Sequence, residues 1–229
     1  MSSAMPEVRR AADRYLTEVD GVSTWHSFSY GAHYDADNVG FGPLIAINTE
    51  RVGPSRGYDQ HHHADVEIVT WVLEGELQHE DSTGRRGLIR AGSAQRLSAG
   101  TGVQHSEHNA SHSEPLVFVQ MMLASDHDGE PEYAQVEVDD GTGALIATVP
   151  VHAAAELLVV RLEADQRVTV PAAPRSLVHI TRGTVLLDDE KTVLTSGDEA
   201  RLTDEGAYDL SAATANGEAA EVLIWQLRR

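Results

Sequence analysis

Three consecutive histidines, His61, His62 and His63, stand ahead of Glu67, and a second group, His105, Glu107 and His108, follows about forty residues later. Side chains alternate across an extended chain, so His61 and His63 share one face, and so do His105 and Glu107. Two such pairs on neighbouring strands would converge three imidazoles and a carboxylate on one ion. The chain has no cysteine, which removes thiolate sites, iron–sulfur clusters, disulfides and cysteine nucleophiles together. A nitrogen and oxygen set suits Fe(II), Mn, Ni, Cu or Zn and leaves positions for water, oxygen or substrate. His62 points the other way and falls outside this set. Glu67 has the parity of His61 and His63, as a ligand or as a partner that fixes a histidine tautomer, and spacing alone does not choose. His79, beside a turn, reads as a rim or structural residue. His26, His33, His108, His112, His127, His152 and His179 have no partner at strand spacing and read as structural or exposed.

The elements that must hold these residues are strands. From Trp25 onward, short apolar or alternating runs are separated by Gly, Pro, Asn, Asp and Ser, the rhythm of an all-β sandwich or barrel. Leu44 to Asn48, Glu67 to Leu73, Leu88 to Arg90 and Leu116 to Leu123 belong to a first series. A second series contains Leu157 to Leu162, Arg167 to Val170, Leu177 to Thr181, Thr184 to Leu187 and Val222 to Leu227. Between them the Asp-, Glu- and Gly-rich stretch 126–143 reads as a linker, and His127-Asp128-Gly129-Glu130 within it as a solvated connector. The expected division is an N-terminal metal-binding domain over 1–125, the linker, and a C-terminal domain over 144–229. Pro6 to Val19 reads as a short helix, with an extended arm as the alternative.

The two series resemble diverged copies of one unit: aligning Gly75 with Gly183, and Gly92 with Gly197, sets apolar positions in register. The same offsets place Thr169 and Pro171 where His61 and His63 stand, and Leu210 and Ala212 where His105 and Glu107 stand. None of the four offers a transition-metal ligand, so the second unit is expected to be degenerate and metal-free.

With 229 residues and 41% hydrophobic content the chain can bury a sizeable core. Its formal net charge is −19, which repels a phosphate backbone, and its few arginine pairs (Arg9-Arg10, Arg85-Arg86, Arg228-Arg229) are scattered, so no direct nucleic-acid binding is expected. No apolar leader and no window of roughly 18 apolar residues is present, so a cytoplasmic protein without membrane contact is expected.

Gly57 to Gly75 (G-Y-D-Q-H-H-H-A-D-V-E-I-V-T-W-V-L-E-G) resembles a first cupin motif, and Gly92 to Asn109 (G-S-A-Q-R-L-S-A-G-T-G-V-Q-H-S-E-H-N) a second. Their wording is similar to that of the pirin family, as are H-S-F-S-Y-G at His26 to Gly31, V-G-F-G-P-L at Val39 to Leu44 and H-E-D-S-T-G at His79 to Gly84. The resemblance is close over residues 8–123 and diffuse beyond. It implies an all-β bicupin, two jelly-roll-type β-barrel domains packed face to face, with one mononuclear metal, usually iron, on His61, His63, His105 and Glu107. It also moves Glu67 out of the ligand set. His62 replaces a usual proline and Ala64 a usual arginine, which alters the mouth of the site without removing a ligand. Family resemblance implies quercetin 2,3-dioxygenase-type opening of a flavonol ring by O2, with Glu107 or Glu67 taking the substrate proton. The alternative it implies is a non-enzymatic iron-dependent regulator that binds a protein partner. A monomer is the expected state.

Overall fold

A computed structural model describes residues 6–188, 192–204, 206–213 and 219–228; Arg229, one of the terminal arginine pair, lies outside them. The chain is all-β among these residues, apart from a single 3-10 turn at Ala11–Asp13, as the alternating pattern requires. None of the described helices is long and apolar enough to cross a membrane.

Two compact units form. One contains Arg14–Val138 and Val149–Ala153; the other contains the described residues up to Asp13, Asp139–Thr148 and the described residues from Ala154 onward. Each has a large and a small antiparallel sheet, the jelly-roll arrangement of a bicupin. In the first unit the large sheet runs, in spatial order, Glu132–Glu137, Ser93–Ser98, Val66–Glu74, Leu116–Ala124, Leu44–Val52, Val22–His26 and Tyr15–Val19. The small sheet runs Gly57–His63, Val103–Asn109, Glu76–Asp81 and Arg86–Arg90. Val52, Val72, Leu116 and Phe118 of the large sheet pack with Leu77 and Ile89 of the small one. The second unit repeats this: Val160, Val178 and Ile224 of its larger sheet pack with Val185, Leu187 and Leu210 of its smaller. Alternation along each strand produces these shared cores, because every second residue faces inward.

Two expectations need correction. The segment Pro6 to Val19 is not a helix. Glu7–Arg9 is a strand paired to Glu199–Thr203, and Tyr15–Val19 is a strand paired to Val22–His26. The turn between the last two is Asp20-Gly21, both at positive φ (51° and 81°). Asp-Gly at both central positions is a strong short-range hairpin signal, since the left-handed conformation there matches the twist of the strands. That local signal overrides the weak helical pattern. The second correction concerns the stretch read as a linker. Glu132–Glu137 pairs along its whole length with Ser93–Ser98, Tyr133 opposite Leu97 and Gln135 opposite Gln95. Its acidic flanks conceal an edge strand whose charged ends keep it in water.

Candidate metal centre and cavity

The small sheet of the first unit sets the site. His105 lies directly opposite His61, and Val103 opposite His63, on the neighbouring strand. Beyond His105 the ladder slips: Glu107 faces Tyr58, not Asp59. A bulge of this kind inserts one residue and re-aims the side chains after it, so Tyr58 joins the face of His61 and His63 despite its odd spacing. On the other side of the same strand Glu107 faces His79, and His105 faces Asp81. The strands approach closely at Gly57, where a Cβ would collide with the Glu107 carbonyl oxygen and the His108 backbone. Only glycine fits there.

The imidazoles of His61, His63 and His105 converge, with ring centroids 4.4 Å apart for His61 and His105, 4.9 Å for His61 and His63, and 5.1 Å for His63 and His105. Their candidate ligand atoms all lie within 4.8 Å of one another. His61 Nδ1 donates to the Asp59 carbonyl at 2.8 Å. That bond fixes the tautomer and leaves Nε2 as the free lone pair. His105 is 1% exposed, and neither of its ring nitrogens has a hydrogen-bond partner among the described residues. A buried imidazole left without partners is costly, and a cation among three imidazoles satisfies it. Burial, with the neighbouring imidazoles, pushes His63 down to about 4 and His105 to about 3. Both rings are therefore neutral at pH 7, the form that binds metal.

Glu107 is buried, with Oε1 accepting from Gln95 Nε2 at 2.7 Å and Oε2 from Gln120 Nε2 at 2.6 Å. Burial raises its carboxyl to about 7 against the pull of these two amides. Its carboxylate groups with His79 and His105 within 4.8 Å. His79, read as a rim or structural residue, is fully buried. It stacks on Tyr133 and bonds Asp81 through Nε2 at 3.2 Å, while its Nδ1 has no partner among the described residues. His62 is exposed, as strand alternation requires.

Glu67, a candidate ligand or ligand partner by its parity and a candidate base by family resemblance, stands away from the histidines. It is fully buried, and its carboxylate accepts from Ser98 Oγ (2.8 Å), Ser125 Oγ (2.6 Å) and the His152 amide (3.2 Å). It does not line the cavity at the histidines. Its role is to tie the 125 and 152 turns to the large sheet, since a buried carboxylate needs such donors.

That cavity, of about 560 Å³, reaches His61, His63 and Glu107 and is walled by Val22, Thr24, Glu50 and Tyr58. It falls within the roughly 300–1,000 Å³ of small-molecule sites. Glu50 was not singled out by the sequence pattern. Asn48 and Glu50 interrupt an apolar strand at i and i+2, and that parity is the signal that both face inward. Tyr30 stacks on His26 at 4.9 Å on the cavity wall.

His127, Glu132 and His152 form a further group near the surface. His152 Nε2 meets Glu132 Oε2 at 2.8 Å, and Arg96 reaches the same oxygen at 3.2 Å. The arginine already neutralises that carboxylate, so an ion-pair network accounts for the group. In the second unit, Leu210 and Ala212 lie in the core, and Thr169 Oγ1 donates to Asp209.

These titrations predict how the metal-stripped protein responds to acid. Burial lowers His26, His63, His79 and His105, so between about pH 6.5 and 4 the unfolded chain takes up protons that the folded chain refuses. Stability then falls with pH. The raised carboxyls of Glu50 and Glu107 act in the opposite sense, against His63 and His105, which are held down to about 4 and about 3. The urea midpoint of chelator-treated protein is expected to be lower at pH 5 than at pH 7; an unchanged or higher midpoint would contradict this.

Comparison with known proteins agrees with this geometry. The family model described as Pirin matches residues 8–123. A Mycobacterium tuberculosis protein named "Putative quercetin 2,3-dioxygenase" is 41% identical over 98% of this chain and 96% of its own length. The quercetin 2,3-dioxygenase of Escherichia coli K12 is 31% identical, covering 96% of this chain and 97% of that one. The crystal structure of an Escherichia coli bacterial pirin, in complex with nickel(II), superposes with a TM-score of 0.89 at 29% identity, over 98% of this chain and 99% of that one. A match across half the chain, full-length relatives and one shared fold lead to a single conclusion: this chain belongs to the pirin family.

Proposed function

We propose that this chain is a mononuclear metal dioxygenase that opens the ring of a flavonol with O2, releasing carbon monoxide, with iron as its metal. The observation that carries the reading is the convergence of His61, His63 and His105, the last with neither nitrogen partnered among the described residues, beside the cavity that His61, His63 and Glu107 line. These three residues and Glu107 would hold the ion. Bound there, the metal supplies a Lewis acid that lowers the pKa of a flavonol hydroxyl.

The chain's own groups do the rest. Glu107, a buried carboxyl raised to about 7 in the metal-free chain, lines the cavity and would accept the hydroxyl proton. Gln95 and Gln120 hold its two oxygens and so fix which way it faces. The apolar wall of Val22 and Met122 excludes water beside the planar ligand. The names of the relatives support flavonol as the substrate class. Mass spectrometry of the product from quercetin and iron-loaded protein, with carbon monoxide detection, tests the reading: the depside and one equivalent of carbon monoxide are expected, and unchanged quercetin would refute it.

A second reading, a metal-dependent regulator of a protein partner in the cytoplasm, is favoured by the net charge of −19, which suits a basic partner. It requires that capture of a partner depend on metal loading or oxidation state.

A further inference from the structure

The cavity wall beside the histidines carries the hydroxyl groups of Tyr58 and Thr24, and a single carboxylate oxygen takes the hydrogen of each. Tyr58 Oη donates to Glu50 Oε2 at 2.6 Å, and Thr24 Oγ1 donates to the same oxygen at 2.6 Å. Glu50 itself is 3% exposed and takes a further bond from the Asn48 side chain. Distances this short are those of hydroxyl-to-carboxylate bonds, which are stronger than bonds between neutral groups. A hydroxyl has one hydrogen and two lone pairs. With both hydrogens committed to Glu50, Tyr58 and Thr24 have only lone pairs to offer.

We propose that Glu50, as a positioning residue acting through Tyr58 and Thr24, makes this wall a hydrogen-bond acceptor, so that the cavity selects aromatic ligands by a hydroxyl they donate. The inference rests on the flavonol reading and deepens it: it names the polarity by which one face of such a ligand is recognised. A ligand with a methyl ether or a bare ring at that position leaves the Tyr58 and Thr24 oxygens buried without a donor. Sites built around a hydrogen bond reject analogues that lack it far more strongly than apolar pockets reject a change of one methylene. The device is geometric. The bulge between His105 and Glu107 brings Tyr58 onto the ligand face, its ring centroid 6.3 Å from that of His61. The acceptor wall and the metal-binding histidines therefore address the same ligand.

The experiment is an anaerobic titration of iron-loaded protein with quercetin and with each of its mono-O-methyl ethers, followed by the flavonol absorbance band. In the wild type, at least one ether is expected to bind about tenfold or more weakly than quercetin. In Tyr58→Phe, which keeps the ring and loses only the oxygen, that ratio is expected to fall to about twofold or less. Glu50→Leu, which removes both acceptor oxygens and so frees the Tyr58 hydrogen, should shrink it in the same direction. Thr24→Val supplies an independent variant of matched size should Tyr58→Phe fail to load iron. An equal ratio in wild type and all loaded variants would overturn the inference, as would a wild type that binds every ether as tightly as quercetin. A wild type that binds neither quercetin nor its ethers would overturn the flavonol reading itself. That result is distinct, because the first two require binding.

Discussion

His105→Ala is expected to abolish high-affinity metal binding, by at least about 100-fold in dissociation constant, while the chain still folds. Removing a partner that merely orients a ligand typically costs about 10–100-fold in metal affinity, so loss of a ligand itself is placed at or beyond that range. His105 lies 4.4 Å from His61 and 5.1 Å from His63 between ring centroids, and it is the most buried of the three imidazoles. The effect on the metal-stripped protein has a different sign structure. Both nitrogens of His105 are buried without partners among the described residues, so alanine removes a desolvation penalty of about 1–3 kcal/mol. It also leaves a cavity, and the two effects oppose each other. Metal-stripped wild type and variant are therefore expected to unfold at similar urea concentrations, whereas added iron stabilises only the wild type. Equal stabilisation of both by iron would remove His105 from the site.

Glu107→Gln carries the second large effect, for a reason visible in its partners. Both carboxylate oxygens accept from amide nitrogens, Gln95 Nε2 at 2.7 Å and Gln120 Nε2 at 2.6 Å. A glutamine must turn its own NH2 toward one of them, leaving two donors face to face in a site that is 2% exposed. An unmet buried donor costs about 1–3 kcal/mol, and the side chain also loses the charge that would neutralise a cation. We expect metal affinity to fall by about 10–100-fold and turnover to fall further, because the cavity carboxylate that would take the hydroxyl proton is gone. Metal analysis after dialysis and the pH profile of turnover check this. A variant with wild-type loading and an unchanged profile would show that Glu107 neither holds the ion nor handles the proton.

That His61 shares a face with His63, and His105 with Glu107, was legible because side chains alternate along a single strand whatever its neighbour does. What the spacing concealed arose where that regularity breaks. The slip between His105 and Glu107 puts Tyr58 on the ligand face, and no count of residues along one strand reveals a bulge between two. Glu67 has the right parity on its own strand, but that strand belongs to the large sheet, where Ser98 and Ser125 bind its carboxylate. Parity says which face a residue takes, not what stands opposite it. His79 follows the same logic: its neighbours along the chain are polar, yet pairing sets it opposite Glu107 in the interior. The all-β architecture was readable from turn punctuation, including the Asp20-Gly21 hairpin that a helical reading of Pro6 to Val19 passed over. The edge strand Glu132–Glu137 was hidden by acidic flanks that suit an exposed edge as well as a linker.

The most direct test of the central claim is oxygen consumption with quercetin by iron-reconstituted protein, run beside the His61→Ala variant with metal content measured in both. Quercetin-dependent oxygen uptake by the wild type, lost in the variant together with its iron, is the result this account predicts. Equal uptake by the two proteins, or none by wild type shown to carry iron, would contradict it.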